Sequence, residues 1–219
     1  MGENWEKFWS TETILTKIVD FGRHYYFSYI PIAYLGNAKG KTILEAGCGT
    51  CETLVRIAKK AKKVIGIDIS KSVLSIAKSN FEKNRIQKDK YELSIGDLRK
   101  MEFKDNTFDI TFNTGVVEHF DDDKINNKPV EEMIRVTKKG GRIVFLVPST
   151  YSPYYFYYRL TRLPGLQKLY PWEEHRCYTF AMLENQLREI KSKYNIKYKT
   201  RLCFYSLFTY LIADITKLD

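Results

Sequence analysis

The sequence has few cysteines and no long apolar segment. Four cysteines in 219 residues are too few and too scattered for the disulfide framework of a small secreted protein. The longest uncharged apolar run, residues 202–213, has 12 residues, whereas a membrane-spanning helix needs about 20. The first ten residues lack the basic and apolar parts of a secretory signal, and Glu6 stands where a myristoylation motif needs Ser or Thr. These absences predict a soluble cytoplasmic protein without a transmembrane segment.

Positive charge is in excess, but it is not concentrated in one part of the chain. Lys and Arg number 36 against 26 Asp and Glu, which gives a net charge of +10. Half of that excess lies in residues 1–150 and half in residues 151–219. This spread indicates a solvated basic surface, so nucleic-acid binding is the less favoured alternative, although a diffuse positive field attracts anionic partners.

From residue 41 onward, short apolar runs alternate with amphipathic segments of helical length. The runs are rich in β-branched residues and cover residues 42–47, 63–69, 90–96, 108–114 and 142–148. Helices are predicted over 52–61 and 71–84, and Ser70 is a suitable N-cap for the second. That second helix has one apolar face, formed by Val73, Leu74, Ala77 and Phe81. This succession predicts an α/β fold with a parallel sheet covered on both faces.

Three segments depart from the alternation. Residues 3–36 are typical of helix, with Pro31 as an interruption, and residues 179–194 of another helix. Residues 196–206 and 207–215 predict two strands of an antiparallel hairpin. Residues 149–178 are rich in aromatics and are interpreted as an insertion over a site at the strands' carboxyl ends; alternatively, these rings pack on the sheet. The prediction is a single domain, 1–219, made of a helical cap (1–40), a core (41–148), the insertion (149–178) and a last helix with the hairpin (179–219).

The segment LEAGCGTCETL, residues 44–54, joins the first predicted strand to a helix. Its glycines allow a ligand to approach the main chain closely, and the start of the helix favours a polar or anionic group. Asp68 ends the next strand 19 residues after Gly49, close to the spacing at which an acidic side chain receives ribose hydroxyls. Asp97 follows the third strand. The pattern therefore predicts a nucleotide-like ligand.

The same segment contains a C-x-x-C pair, Cys48 and Cys51, which is the alternative signal for redox chemistry or a metal. A metal site needs further ligands, but Cys177 and Cys203 lie far away in the sequence and form no second C-x-x-C. We therefore interpret the two cysteines as small residues of a ligand-binding turn, and no metal is predicted.

These motifs resemble those of the class I S-adenosylmethionine-dependent methyltransferases. An NAD site would have glycine at residue 52, which is Glu52 here. The matching segments are ILEAGCGTCETL, VIGIDIS, SIGDL, FDITFNTGVVEHF and GGRIVFLVP, in order over residues 41–148. The resemblance implies a Rossmann-like, seven-stranded, mainly parallel sheet with a reversed last strand, for which the terminal hairpin is suited. It also implies S-adenosylmethionine as the cofactor.

The resemblance assigns cofactor contacts residue by residue. Gly47 and Gly49 would contact the cofactor through the backbone, Glu45 would lie near the methionine amino group, and Asp68 would bind the ribose. Asp97 would bind the adenine amino group, whereas Asn113 and Thr114 would face the methionine part. With their neighbours, the predicted cofactor-binding residues are Glu45, Gly47, Cys48, Gly49, Asp68, Ile69, Asp97, Leu98, Asn113 and Thr114. The third glycine of the family motif is Cys51 here, at a position that opens a helix and tolerates small residues.

His119 is the candidate general base, because imidazole has the ordinary pKa nearest neutrality and His119 follows the fourth strand. The alternative is a structural histidine at a helix start. With Glu118, which is also a candidate catalytic residue, it resembles the E-H pair of small-molecule methyltransferases such as the ubiquinone-pathway O-methyltransferases. Those can carry an acidic residue where this chain has Gly115. The acidic run 121–123 is interpreted as a solvated face.

Further candidates come from the two aromatic regions. His175 is a second candidate catalytic residue in the insertion. The predicted substrate contacts are His24, Tyr25, Tyr151, Tyr154 and Tyr155. Each of these is by itself more often structural than catalytic.

The residues favour a small-molecule acceptor. The N-P-P-Y motif of amino-group methylation is absent, since residues 113–116 read NTGV, and Pro148 is followed by Ser149 rather than a cysteine nucleophile. We therefore predict methyl transfer to a small aromatic or apolar acceptor, with oxygen as the receiving atom, by a monomer or homodimer. The alternatives are an RNA or protein methyltransferase that uses the basic surface, and a non-catalytic cofactor-binding partner subunit.

Overall fold

A computed structural model describes residues 28–119, 123–164, 176–206 and 208–219. The strands are β1 (Thr42–Ala46), β2 (Lys63–Asp68), β3 (Tyr91–Ile95), β4 (Phe108–Thr114), β5 (Thr137–Pro148), β6 (Ile196–Leu202) and β7 (Tyr210–Lys217). The helices are α1 (Tyr29–Leu35), α2 (Glu52–Ala58), α3 (Lys71–Lys83), α4 (Asp123–Val136), α5 (Pro153–Thr161) and α6 (Phe180–Lys193). Short 3-10 turns occur at Lys88–Lys90, Val117–His119 and Phe204–Ser206.

The seven strands form one sheet in the order β3-β2-β1-β4-β5-β7-β6. The first five strands pair in parallel, and β7 pairs antiparallel with both β5 and β6. The predicted Rossmann-like sheet with a reversed last strand is therefore confirmed, as is the terminal hairpin. Because the chain builds outward from β1 to β3 and then returns to β4, the loops after β1 and β4 lie side by side at the carboxyl edge, where open α/β sheets bind ligands.

Helices cover both faces of the sheet. Successive strand residues point to opposite faces, so Ile43 and Leu44 belong to two separate cores. The core around Ile43 is closed by α1, α2 and α3, and the core around Leu44 by α4 and α6. Full burial of one such side chain stabilises the fold by about 1.5–3 kcal/mol, which makes these cores the main source of stability.

Helices α3 and α6 are each capped at the amino end by a hydroxyl side chain. The Ser70 hydroxyl accepts a hydrogen bond from the Val73 amide at 3.3 Å, and the Thr179 hydroxyl accepts one from the Met182 amide at 3.2 Å. The predicted apolar face of α3 is buried. Among the described helices, none combines the length and apolar character needed to span a bilayer.

Two boundaries differ from the sequence-based expectation. Pro31 does not interrupt a helix but lies in the first turn of α1, where an amide has no intrahelical acceptor to lose. Strand β5 begins at residue 137 rather than 142. Its pairing with β4 shifts register between Phe108 and Ile110, and the extra residues of β5 at this irregularity include the glycines 140–141.

The aromatic insertion leaves and returns at the end of β5. Ser149 and Tyr178 form an isolated bridge, and the Tyr178 amide donates to the Pro148 carbonyl at 2.7 Å. Helix α5 begins inside this segment, with the Ser152 hydroxyl accepting from the Tyr155 amide at 2.9 Å. Both ends of the insertion therefore lie at the carboxyl end of β5, which is next to β4 in the sheet, and its role as a cover stays a prediction.

Candidate functional site

The loop between β1 and α2 depends on left-handed backbone at Gly47 and Cys51. Gly47 has φ of 76°, and a Cβ there would lie 2.6 Å from Cγ2 of Val116, so a side chain is excluded. Cys51, the N-cap of α2, has φ of 59° and is fully buried. The family motif has glycine at this third position, and the structure shows a reason: the backbone is left-handed there. The expectation that small size is sufficient is therefore incomplete.

The amides of this loop are directed at β2. The Gly47 and Cys48 amides donate to the Ile67 carbonyl at 2.8 and 2.9 Å. The Gly49 amide donates to Asp68 Oδ2 at 2.9 Å. Because these amides already donate within the protein, they do not form a cradle for a phosphate group. The loop therefore differs from the phosphate-binding loops that a glycine pattern alone would also predict.

Asp68 joins the glycine loop to the end of β2. Its other oxygen, Oδ1, accepts from the Ser70 amide at 3.0 Å. An ionised carboxylate has about four acceptor positions, so ligand hydroxyls can bind beside these two amides. Ile69 follows with 39% of its surface exposed and gives the carboxylate an apolar neighbour. The predicted ribose contact thus has a suitable acceptor in a suitable place.

Asp97 is held by Arg99. The Arg99 guanidinium donates to both Asp97 oxygens, from Nε at 3.0 Å and from Nη2 to Oδ2 at 2.6 Å, and its amide donates to Oδ1 at 2.8 Å. These bonds lower the pKa of Asp97. Leu98 between them is buried. An adenine amino group bound at Asp97 would therefore compete with Arg99 for the carboxylate oxygens. The sequence alone does not predict this interaction between Asp97 and Arg99.

The end of β4 carries buried polar atoms that lack hydrogen-bond partners among the described residues. The Asn113 side-chain amide donates to the Ala46 carbonyl of β1, but its Oδ1 accepts nothing, and Thr114 Oγ1 has no partner. Leaving such a group unsatisfied costs about 1–3 kcal/mol, so these atoms suit a site that is completed by a ligand. Glu45, buried at 6% exposure, lies on the adjacent strand. The predicted methionine end of the cofactor fits this set.

Glu118 and His119 lie in the 3-10 turn after β4. Glu118 is 4% exposed, burial raises its pKa to about 8, and its Oε2 has no hydrogen-bond partner among the described residues. The backbone carbonyl of Glu118 accepts from the Arg176 amide at 3.4 Å, which joins the turn to the end of the insertion. His119 is half-buried, and its amide donates to the Val116 carbonyl at 3.1 Å.

The predicted substrate contacts are placed only in part. Tyr151 is 53% exposed, with its ring centroid 5.9 Å from that of Phe180, and Tyr155 is half-buried in α5. His24, Tyr25 and His175 lie outside the described residues, as does the side chain of Tyr154.

The C-x-x-C cysteines are buried free thiols that pack on β2. A Cβ on Gly66 would lie 2.9 Å from each of their sulfurs, so the bare glycine makes room for both. Burial raises the pKa of both thiols, most strongly that of Cys48. Because the thiolate is the reactive form, this environment indicates a packing role rather than redox chemistry.

A cavity of about 360 Å³ lies at the opposite, amino edge of the sheet. Its charged walls are paired with one another, since Arg135 contacts Glu132 and Asp105 at 2.7 Å each. Lys217 Nζ donates to the Thr137 carbonyl at 2.8 Å. We assign no ligand to this cavity.

The family can be decided from the sequence comparison together with this geometry. A family model described as a methyltransferase domain matches residues 37–200, which include the glycine loop and strands β1 to β5. The chain belongs to the class I S-adenosylmethionine-dependent methyltransferases. It is therefore a transferase with S-adenosylmethionine as its cofactor, as the sequence motifs predicted.

Two relatives and one solved structure show what this methyltransferase is similar to. A demethylmenaquinone methyltransferase of Oceanobacillus iheyensis is 30% identical over 179 residues, 75% of this chain and 70% of that protein. One from Bacillus cereus is 28% identical over 153 residues, 66% of this chain and 60% of that protein. The magnesium protoporphyrin IX methyltransferase of Synechocystis with bound SAH has a TM-score of 0.70 at 14% identity, covering 98% of this chain and 93% of that one.

Cys51 of the methyltransferase provides a test of the loop geometry. We expect Cys51→Gly to change the free energy of unfolding by less than about 1 kcal/mol, because relief of left-handed strain offsets the lost side chain. Cys51→Val should cost more than about 2 kcal/mol, because a β-branched residue resists positive φ. Urea denaturation measures both.

Cys203 supplies the matched control for this test. It is equally buried, and its backbone is not among the positive-φ positions. Cys203→Val should therefore cost clearly less than Cys51→Val. Equal losses in the two valine variants would show that backbone strain at Cys51 is unimportant.

Proposed function

We propose that this methyltransferase methylates a small, apolar, ring-bearing acceptor. The observation that carries the proposal is the anchoring of the aromatic insertion beside the unsatisfied polar atoms at the end of β4. The similar demethylmenaquinone methyltransferases support a quinone-like ring as the acceptor class. The four cysteines are free thiols, and we keep the cytoplasm as the proposed location.

The bound cofactor supplies a methyl group that is already activated on a sulfonium. The chain must then align the acceptor with that group, and such positioning is worth about 7–11 kcal/mol. We propose that Asp68 and Asp97 hold the nucleoside, whereas Asn113, Thr114 and Glu45 hold the methionine end. His119 would accept the proton lost by the acceptor oxygen. Tyr151, Tyr154, Tyr155, His24, Tyr25 and His175 remain the proposed surroundings of the acceptor.

An acceptor panel tests the proposal. The purified chain is incubated with S-adenosylmethionine and, separately, a short-tailed demethylated quinol, a catechol, total tRNA and a mixed protein extract. We expect methylation of the quinol or catechol, detected by mass spectrometry, with NMR of the product showing whether oxygen or ring carbon received the methyl group. Methylation of RNA or protein alone would favour the alternative that uses the basic surface, and RNA binding would then weaken with salt.

A further inference from the structure

Glu118 is a buried carboxyl group that the proposed chemistry does not yet use. Its side chain is enclosed by the turn after β4, with Oε1 about a contact distance from the Cβ position of Gly115, at 3.4 Å. Oε2 has no hydrogen-bond partner among the described residues. A second buried polar group, Thr114 Oγ1, lies four residues earlier and likewise has no partner in the described part of the chain. Such a set is unusual in a folded protein unless a ligand completes it.

The surroundings of Glu118 favour its neutral form. No Lys or Arg within the described ranges forms an ion pair with it, and an isolated buried carboxylate is costly. Among the described residues, the Cys177 thiol at the end of the insertion interacts electrostatically with it, and its own backbone amide donates to it. Burial raises the pKa of Glu118 to about 8, and the amide only partly opposes this effect. At neutral pH the side chain therefore carries an O–H donor.

Glu118 lies on the insertion side of the candidate site. Its backbone carbonyl accepts from the Arg176 amide, and the neighbouring Cys177 interacts electrostatically with its carboxyl group. The glycine loop contacts Asp68 of β2, and its Gly47 approaches Val116, which precedes the turn of Glu118. The carboxyl group thus lies close to the end of the insertion, the segment that we propose as the surroundings of the acceptor.

We propose that Glu118 donates a hydrogen bond from a neutral carboxyl group to an oxygen atom of the acceptor, and so positions the acceptor without removing its proton. This inference rests on the proposed function, since it needs an acceptor that bears a carbonyl or hydroxyl oxygen. It also divides the roles of two adjacent residues. Glu118 binds the acceptor, and His119 is the base.

Two substitutions of similar size separate the donor role from the alternatives. Glu118→Met fills the same space without a donor, and we expect the KM for the acceptor to rise about tenfold, the effect of one lost hydrogen bond. Glu118→Gln keeps a hydrogen-bond donor in its amide, and we expect its KM for the acceptor to stay close to that of the wild type. In the wild type, KM should also rise as the pH passes about 8, where the donor proton is lost, whereas the Gln variant should lack this rise.

Three outcomes would overturn the proposal. A Glu118→Gln variant with kcat as low as that of a base-deficient enzyme would make Glu118 the base. Weaker binding of S-adenosylmethionine but not of S-adenosylhomocysteine in the Gln variant would make Glu118 a carboxylate paired with the sulfonium. If Glu118→Met weakened the binding of S-adenosylmethionine and of S-adenosylhomocysteine equally, Glu118 would contact the cofactor rather than the acceptor. Thr111→Val, a buried polar loss in the strand that precedes the turn of Glu118, controls for stability and should leave KM unchanged.

The charge state can be tested without any acceptor, which separates this inference from the proposed function. Because the folded-state pKa is raised, the folded protein holds a proton that the unfolded chain has lost between about pH 4.5 and 8. Stability from this group is therefore lost as the pH rises through that window. We expect the Tm of Glu118→Gln relative to wild type to rise by about 4 °C or more between pH 5 and pH 9. A constant difference would mean that Glu118 is already ionised.

Discussion

Replacing His119 with alanine is expected to lower kcat by about 10² to 10⁴, the usual contribution of a positioned general base. His119 follows the buried Glu118 in the turn after β4, one of the two loops that meet at the carboxyl edge. The affinity for S-adenosylmethionine should stay within about threefold, because we propose that His119 acts on the acceptor and not on the cofactor. Steady-state kinetics and calorimetry measure the two quantities.

Recovery of activity on adding imidazole would identify the lost function as proton removal. Thermal melting of the variant serves as the control, since a structural histidine would lower Tm without a selective effect on kcat. A kcat within threefold of wild type would remove His119 from the proposed mechanism, and the base would then be sought elsewhere or found unnecessary.

Asp68→Ala is expected to weaken binding of S-adenosylmethionine by about 100-fold or more. Hydrogen bonds to a charged group contribute about 1.5–3 kcal/mol each, and a ribose offers two hydroxyls. The same change removes the acceptor of the Gly49 amide and so loosens the glycine loop. Asp68→Asn keeps one carbonyl oxygen, and its affinity for S-adenosylmethionine should fall by about tenfold. Isothermal titration measures both.

Asp109 is the matched control for Asp68. It too accepts a backbone amide, from Thr42 at 2.8 Å, and it pairs with Lys138 at 2.9 Å, but it lies at the amino edge of the sheet. Asp109→Ala should lower the stability and leave the cofactor affinity unchanged. Unaltered affinity in Asp68→Ala would refute the assignment of the ribose site.

The sequence predicted those parts of the fold that depend on hydrophobic periodicity and on local residue chemistry. The β-branched runs became the parallel strands, and Ser70 and the apolar face of α3 are where the pattern placed them. The reversed last strand followed from the family resemblance. The start of β5 was missed, because Gly140 and Gly141 are typical of a turn and only pairing with β4 shows that the strand continues through them.

The sequence named candidate residues for the site but not the interactions that they make. Motif position makes Asp97 a candidate, yet nothing in a sequence shows that Arg99 folds back onto it. The left-handed backbone of Cys51 is likewise a property of the loop closing onto β2, not of the cysteine. The raised pKa of Glu118 comes from its burial in the folded chain, and the nearby Cys177 lies 59 residues further on.

The position of β7 affects how the chain reaches its fold during synthesis. Strand β6 is made before β7 but pairs only with β7, and β7 also completes the edge of β5. Until β7 forms, the apolar residues 143–147 of β5 present an open strand edge, which is a template for aggregation. The finished outer edge on this side of the sheet is β6, whose Lys197, Lys199 and Arg201 discourage such pairing. A nascent chain arrested after β6 should therefore need a chaperone, whereas the complete sheet should not.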